Sequence, residues 1–114
     1  MEVYTYITKG GKDLIYMYIN DLPFVEQSKI SDIIKNIRID GTKSLEFLDT
    51  RQLRKKLYEI KVMKNRLMYV IADENDMYIL HACKKQKGKA EKFEIDKAIK
   101  RARELGGELN KEFV

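Results

Sequence analysis

The sequence predicts an α+β domain spanning residues 1–114 as a single unit. It orders as an N-terminal strand and two helices, a three-stranded antiparallel meander, and a C-terminal helix. Three observations predict this. Residues 57–83 hold runs rich in aromatic and β-branched side chains, separated by short polar turns. Residues 23–41 and 94–107 space their apolar side chains at three and four instead. Strands joined by turns this short pair antiparallel, which leaves the helices to pack on one face of the sheet.

Taken in order, "VYTYIT" from Val3 to Thr8 reads as a strand, broken by Gly10 and Gly11. "KDLIYMYIND" is ambiguous on its own. Propensity favours a strand, yet Leu14, Tyr18 and Asp21 also fit one side of a helix. Pro23, suited to a first helical turn, opens the next element. There Ile30, Ile33, Ile34 and Ile37 recur at helical spacing, and Gly41 stops it. "TKSLEFLDTRQLRKK" reads as a loop or short turn. Leu57 to Ile71 supplies two strands, "ADEND" a turn, "MYILHAC" a third strand, and "KKQKGKAEK" a basic loop. Ile95, Ala98, Ile99, Ala102 and Leu105 mark the last helix, ended by Gly106 and Gly107.

Placing Lys64 and Asn65 in a two-residue hairpin loop sets Val62 opposite Leu67, Ile60 opposite Tyr69 and Tyr58 opposite Ile71. That face is wholly apolar and belongs against the helices. The other carries Glu59, Lys61, Met63, Arg66, Met68 and Val70. With Asp73 to Asp76 as the second turn, Ala72 pairs with Met77, Val70 with Ile79 and Met68 with His81. Arg66 then lies beside Cys83. A one-residue slip would send every side chain to the opposite face, so the clean sorting favours this register. One sheet face thereby gathers Glu59, Lys61, Arg66 and the only histidine, with Lys84, Lys85, Lys87, Lys89 and Lys92 starting at its rim.

Such a face suits a phosphodiester. Lysines attract phosphates. A positioned base can activate a ribose 2′-hydroxyl, and cations can stabilise charge growing on phosphorus. Each residue also has an ordinary role. Strand charges can simply face water, Arg66 can pair with Glu59, a lone histidine can be structural, and a lysine run can be a solvated loop. Only the convergence on one face favours chemistry.

Composition narrows the classes. At 114 residues about 65% of the unfolded chain's surface can be buried, enough for one core. Charged residues are 36% and hydrophobic ones 44%, a globular balance. The net charge of +5 favours anionic partners. A single cysteine, Cys83, excludes an internal disulfide and a multi-cysteine zinc site, as expected of a reducing, cytoplasmic setting. The start lacks the pattern of a signal peptide, and no apolar run approaches the ~20 residues that span a bilayer. There is no phosphate-binding glycine loop and no metal signature.

"KLYEIKVMKNRLMYVI" followed by "YILHACKKQKGKAEKFEIDKAIKRA" resembles the core of the RelE/ParE toxin superfamily. The resemblance is closest to the HigB branch, related to phage-derived Gp49-like proteins. The branch pattern falls on Leu57, Tyr58, Glu59, Ile60 and Lys61, then on Arg66 and Tyr69, then on Leu80, His81, Lys84 and Lys85. The resemblance covers residues 45 to 105 well and the N-terminal third only by arrangement, where it implies that "GKDLIYMYIND" is helical. It implies the toxin of a type II toxin–antitoxin pair: an endoribonuclease that cuts mRNA on the ribosome without a metal or other cofactor. Its partner would be a cognate, HigA-like helix-turn-helix antitoxin, with no membrane. By position the resemblance implies that Lys61 and Arg66 stabilise the transition state, that His81 is a candidate acid or base, and that Lys84 and Lys85 form the rim that holds RNA. With Glu59 added the expected catalytic set is Lys61, Arg66, His81 and Glu59, and with Lys87, Tyr58 and Phe93 added the expected RNA-binding set is Lys84, Lys85, Lys87, Tyr58 and Phe93. Lys61 stands where arginine is commoner, Cys83 where an aromatic is frequent, and Phe93 can stack on a base but cannot transfer a proton. The same fold also serves DNA gyrase poisons of the ParE branch, and a non-catalytic RNA-binding regulator would fit the same basic face.

Overall fold

The computed structural model describes all 114 residues. Its elements run β1 (Glu2–Thr5), α1 (Leu14–Asn20), α2 (Phe24–Asp40), a 3-10 helix (Gly41–Phe47), β2 (Asp49–Arg54), β3 (Leu57–Val62), β4 (Asn65–Ile71), β5 (Asp76–Lys84) and α3 (Gly88–Leu109). The strands form one mixed sheet in the order β1-β5-β4-β3-β2. The expected three-strand meander is its centre, β3-β4-β5. Two edge strands extend it: β1, parallel to β5, and β2, antiparallel to β3. The stretch expected to be a loop after Gly41 is thus a 3-10 turn followed by a strand. No helix is long and apolar enough to cross a membrane.

The helices pack on both faces of the sheet, not on one. On the first face, Ile15 and Ile19 of α1 and Ile30, Ile34 and Ile37 of α2 meet Val3, Ile60, Val62, Leu67, Tyr69, Met77 and Ile79. Ile30 and Ile37 are wholly buried, each stabilising the fold by about 1.5–3 kcal/mol. On the second face, Ala98, Ile99 and Ala102 of α3 cover Leu57, Met68, Val70, Leu80 and Cys83. The face expected to stand open and charged is therefore closed along most of its length.

Two local devices set helix ends, the first at an element that propensity left open. α1 forms because Asp13 caps it: its Oδ1 accepts from the amides of Ile15 and Tyr16 at 3.1 and 3.0 Å. α2 ends at Gly41, whose φ of 68° is the left-handed turn that glycine adopts without penalty. By contrast, α3 does not end at Gly106 and Gly107. It continues to Leu109, with Asn110 left-handed at its C-terminus. The tail then turns back, buries Phe113, and its Phe113 carbonyl accepts from the Lys56 amide at 2.9 Å. A Cβ on Gly106 would lie 2.5 Å from the Lys111 carbonyl oxygen, so this crossing requires glycine.

The β3–β4 pairing is shifted by two residues from expectation. Val62 faces Asn65, Ile60 faces Leu67 and Tyr58 faces Tyr69, around a turn in which Met63 takes a φ of 58°. A shift of two preserves which face each side chain occupies. Between β4 and β5, Met68–His81 and Arg66–Cys83 pair as expected. Past them a bulge at Leu80 intervenes, so Val70 pairs with Tyr78 and Ile71 with Met77. The bulge lets Ile79 join one core and Leu80 the other.

Candidate functional site

The α3 side of the sheet presents two rows of side chains running across the strands. One row is Asp49, Lys61, Arg66 and Cys83. The next is Arg51, Glu59, Met68 and His81. The structure therefore brings Lys61, Arg66, Glu59 and His81 onto one face, as the register argument required. Their surroundings differ sharply.

Lys61 and Arg66 are directly opposed and partly exposed. Neither forms an ion pair. The Arg66 guanidinium donates through one nitrogen to the carbonyls of Met63 and Asn65, at 3.1 and 2.9 Å, which fixes it over the hairpin. Like charges directly opposite on a sheet are destabilising. With no carboxylate in ion-pair contact, this pair is a standing anion-attracting feature.

Glu59 is 2% exposed and lies 3.1 Å from Nε of Arg51. Arg51 also reaches Glu91 of α3 at 3.6 Å. The Glu59 contact is close enough for an ion pair but lacks hydrogen-bond alignment. Charge rather than directed bonding holds it, and Glu59 acts as an anchor for Arg51.

His81 is clamped. Its Nε2 lies 2.8 Å from Glu94 Oε2 and its Nδ1 lies 3.0 Å from an Arg101 nitrogen. Arginine only donates, so Nδ1 must accept, and the ring proton sits on Nε2 and is donated to Glu94. Burial pushes the imidazole below its ordinary pKa; Glu94 opposes that shift, while Arg101 and Lys97 add to it. Burial would raise the Glu94 carboxyl, but His81 and Lys97 together hold it below its usual value. Arg101 further donates to the Leu80 carbonyl at 2.9 Å and lies over the Tyr6 ring at 4.3 Å. It thereby ties α3 to the β5 bulge and to the segment after β1.

His81, Cys83 and Glu94 place three ligand-type atoms within 4.8 Å of one another. Their polar atoms are already engaged within the protein. The bond from Arg101 occupies the Nδ1 lone pair, leaving Nε2 protonated. Burial pushes the Cys83 thiol up to about 12. The trio is a hydrogen-bonded seam between β5 and α3.

The residues expected to bind RNA disperse. Lys84 is exposed but tethered. Its ammonium donates to Asn65 Oδ1 at 3.1 Å and lies 3.6 Å from Glu26. Asn65, fully buried, also accepts from the Tyr18 hydroxyl at 2.6 Å and donates to Glu26 at 2.9 Å. Lys85 and Lys87 are exposed, Lys87 immediately before α3. Phe93 is exposed on α3 with the Lys97 ammonium 4.5 Å over its ring. Tyr58 lies on the opposite sheet face, stacked on Tyr69 with ring centroids 6.1 Å apart. There it lines a separate cavity of about 410 Å³ with Leu45, Thr50 and Lys56.

Sequence reasoning missed four residues that shape this region: Arg51, Asn65, Glu94 and Arg101. Arg51 was hidden by the unrecognised edge strand, and Asn65 was assigned to a loop. Glu94 and Arg101 lie seven residues apart on one helix, a two-turn spacing that was legible, but nothing in the sequence tied it to His81.

A family model described as phage-derived protein Gp49-like matches residues 17–103. Among solved structures, the chain is similar to the archaeal RelE–RelB complex from Pyrococcus horikoshii OT3, at 15% identity and a TM-score of 0.57. The match covers 77% of this chain and 100% of that one. At that identity the likeness is one of fold. No curated protein matches the chain.

Proposed function

The chain belongs to the phage-derived Gp49-like protein family, and on that footing we propose that it is the toxin of a toxin–antitoxin pair. In this reading it is a HigB-type endoribonuclease that cuts mRNA on the ribosome. The observation that carries it is the directly opposed pair Lys61 and Arg66, with no carboxylate in ion-pair contact, at the open end of the sheet. The RelE fold supports it. The solved RelE is in complex with RelB, which supports an antitoxin partner here; we propose a HigA-like helix-turn-helix protein.

The chemistry needs no metal in this scheme. The ribose 2′-hydroxyl gives its proton to solvent and attacks the adjacent phosphorus, the bond to the 5′-oxygen breaks, that oxygen takes a proton from solvent to leave as a hydroxyl, and a 2′,3′-cyclic phosphate remains. Lys61 and Arg66 stabilise the charge growing on the non-bridging oxygens. Arg66, already fixed by two carbonyls, needs little reorganisation to do so. Lys85 and Lys87 hold flanking phosphates.

We assign His81 a positioning role. To act as acid or base it would first have to exchange Glu94 or Arg101 for substrate. In place, the clamp locks α3 behind the row that carries Arg66. Glu59 likewise positions Arg51.

The test is primer extension on a defined mRNA, incubated with the purified chain with and without programmed ribosomes. New ends only with ribosomes support the proposal. New ends without them keep the nuclease and remove the ribosome requirement. Intact mRNA in both arms, with folded protein, overturns it.

A further inference from the structure

We propose that Arg51 is a third phosphate-binding cation, which extends the RNA path from Lys61 and Arg66 onto the edge strand β2. The proposal rests on the ribonuclease reading above.

The placement follows from the sheet. Arg51 pairs with Glu59, and Lys61 lies two residues further along the same face of β3. Arg51 and Lys61 are therefore diagonal neighbours, about 7–8 Å apart at the backbone. That is close to the spacing of adjacent phosphates in an extended single strand. A strand lying across β4, β3 and β2 would meet Arg66 and Lys61 with one phosphate and Arg51 with the next.

The guanidinium is anchored and still available. Glu59 is almost wholly buried and cannot leave, so it fixes the root of the Arg51 fork. The outer contact is different in kind. Glu91 lies 3.6 Å away, a long pair between two side chains that are each about 40% exposed. Such a contact is weak in water and open to exchange. A phosphate offers the planar fork a better acceptor than a distant carboxylate does. Glu91 is then a competitor that occupies the site until RNA arrives. Glu59 lies against Nε and Glu91 against a terminal nitrogen, and on the edge strand β2 the Arg51 side chain keeps 40% of its surface exposed.

The experiment measures equilibrium binding of a fluorescent single-stranded RNA whose riboses are 2′-O-methylated, so that it cannot be cut, at several salt concentrations. The chains compared are the wild type, Arg51→Ala, the double variant Arg51→Ala/Glu59→Gln, Glu91→Gln, and Glu91→Gln combined with the double variant. The double variant removes the buried carboxylate that the single one strands. Expected is a loss of about tenfold without Arg51, with a salt slope shallower by roughly 0.7, and a severalfold gain for Glu91→Gln. The discriminating result is that this gain disappears when Glu91→Gln is combined with Arg51→Ala/Glu59→Gln, since the effect of general charge removal would persist without Arg51. Unchanged affinity and slope without Arg51, or no gain for Glu91→Gln, overturns the proposal, as does a wild type that binds no RNA. Cleavage of unmodified mRNA on ribosomes, run in parallel, reports separately on the ribonuclease reading.

Discussion

Lys61 and Arg66 stand directly opposite one another across the β3–β4 hairpin, and neither has a carboxylate partner. Asp49, directly across β2 from Lys61, does not close the pair. The repulsion is a small cost to the fold that an anionic ligand would relieve.

Lys61→Ala is therefore expected to lower cleavage by on the order of 10²–10³-fold while leaving thermal stability within error or slightly raised. Arg66→Ala should lose as much activity but also about 1 kcal/mol of stability, because it caps two hairpin carbonyls. Ribosome-programmed cleavage with parallel thermal melts checks both. A double variant that still cleaves at the wild-type rate would remove this pair from the site.

Asn65 is the hub of a buried network that ties β4 to α1, α2 and β5 through Tyr18, Glu26 and Lys84. Asn65→Ala strands the Tyr18 hydroxyl and the inner face of Glu26. The expected loss is about 2–4 kcal/mol, read as a lower urea midpoint with unchanged slope.

The pH dependence of stability follows from the His81 clamp. Burial lowers the imidazole below its ordinary 6.5, so the unfolded chain binds this proton first as pH falls. The stability linked to it is whole above about 6.5 and drains away as pH drops toward the lowered native value. Glu94, whose carboxyl is held below its usual 4.5, adds a loss of the same sign at more acid pH. Urea midpoints should fall from pH 7.5 to 5.5, and His81→Gln should flatten that slope even if it is less stable throughout. An equal slope in both chains would place the titrating group elsewhere.

Adjacent glycines in α3 are expected to respond oppositely. Gly106→Ala meets the Lys111 carbonyl at 2.5 Å and must displace the tail, costing 2 kcal/mol or more, by order of magnitude. Gly107→Ala meets nothing within 4 Å and gains helix propensity of up to about 1 kcal/mol. Thermal denaturation of the two variants decides it.

The hairpin strands and both long helices were legible because their apolar periodicities are strong. The edge strand β2 was not. "DTRQLR" has one apolar residue and is largely exposed, so only its hydrogen bonds to β3 define it. That gap also concealed Arg51. α1 carried a readable signal in the Asp13 cap, which local strand propensity obscured. Gly106 was read as a helix stop, whereas here the absence of a side chain serves a crossing chain. The face of each hairpin residue survived a wrong register because the error was two residues. The open, charged face did not survive, since α3 follows a loop of no apolar signal and its destination depends on the whole sheet.

The parallel pairing of Glu2–Thr5 with Asp76–Ile79 sets the order in which the protein can be completed. The first strand to leave the ribosome has no neighbour in the sheet until the last strand has been made. β5 in turn needs α3 to bury Leu80 and Cys83 and to clamp His81. The non-local closure is a slow step by its topology. Lys61 and Arg66 therefore emerge on a hairpin that lacks its backing, and a nascent chain cannot present the finished cationic row to the ribosome that is making it. Under the proposed function, action on mRNA would begin only once the finished chain has been released.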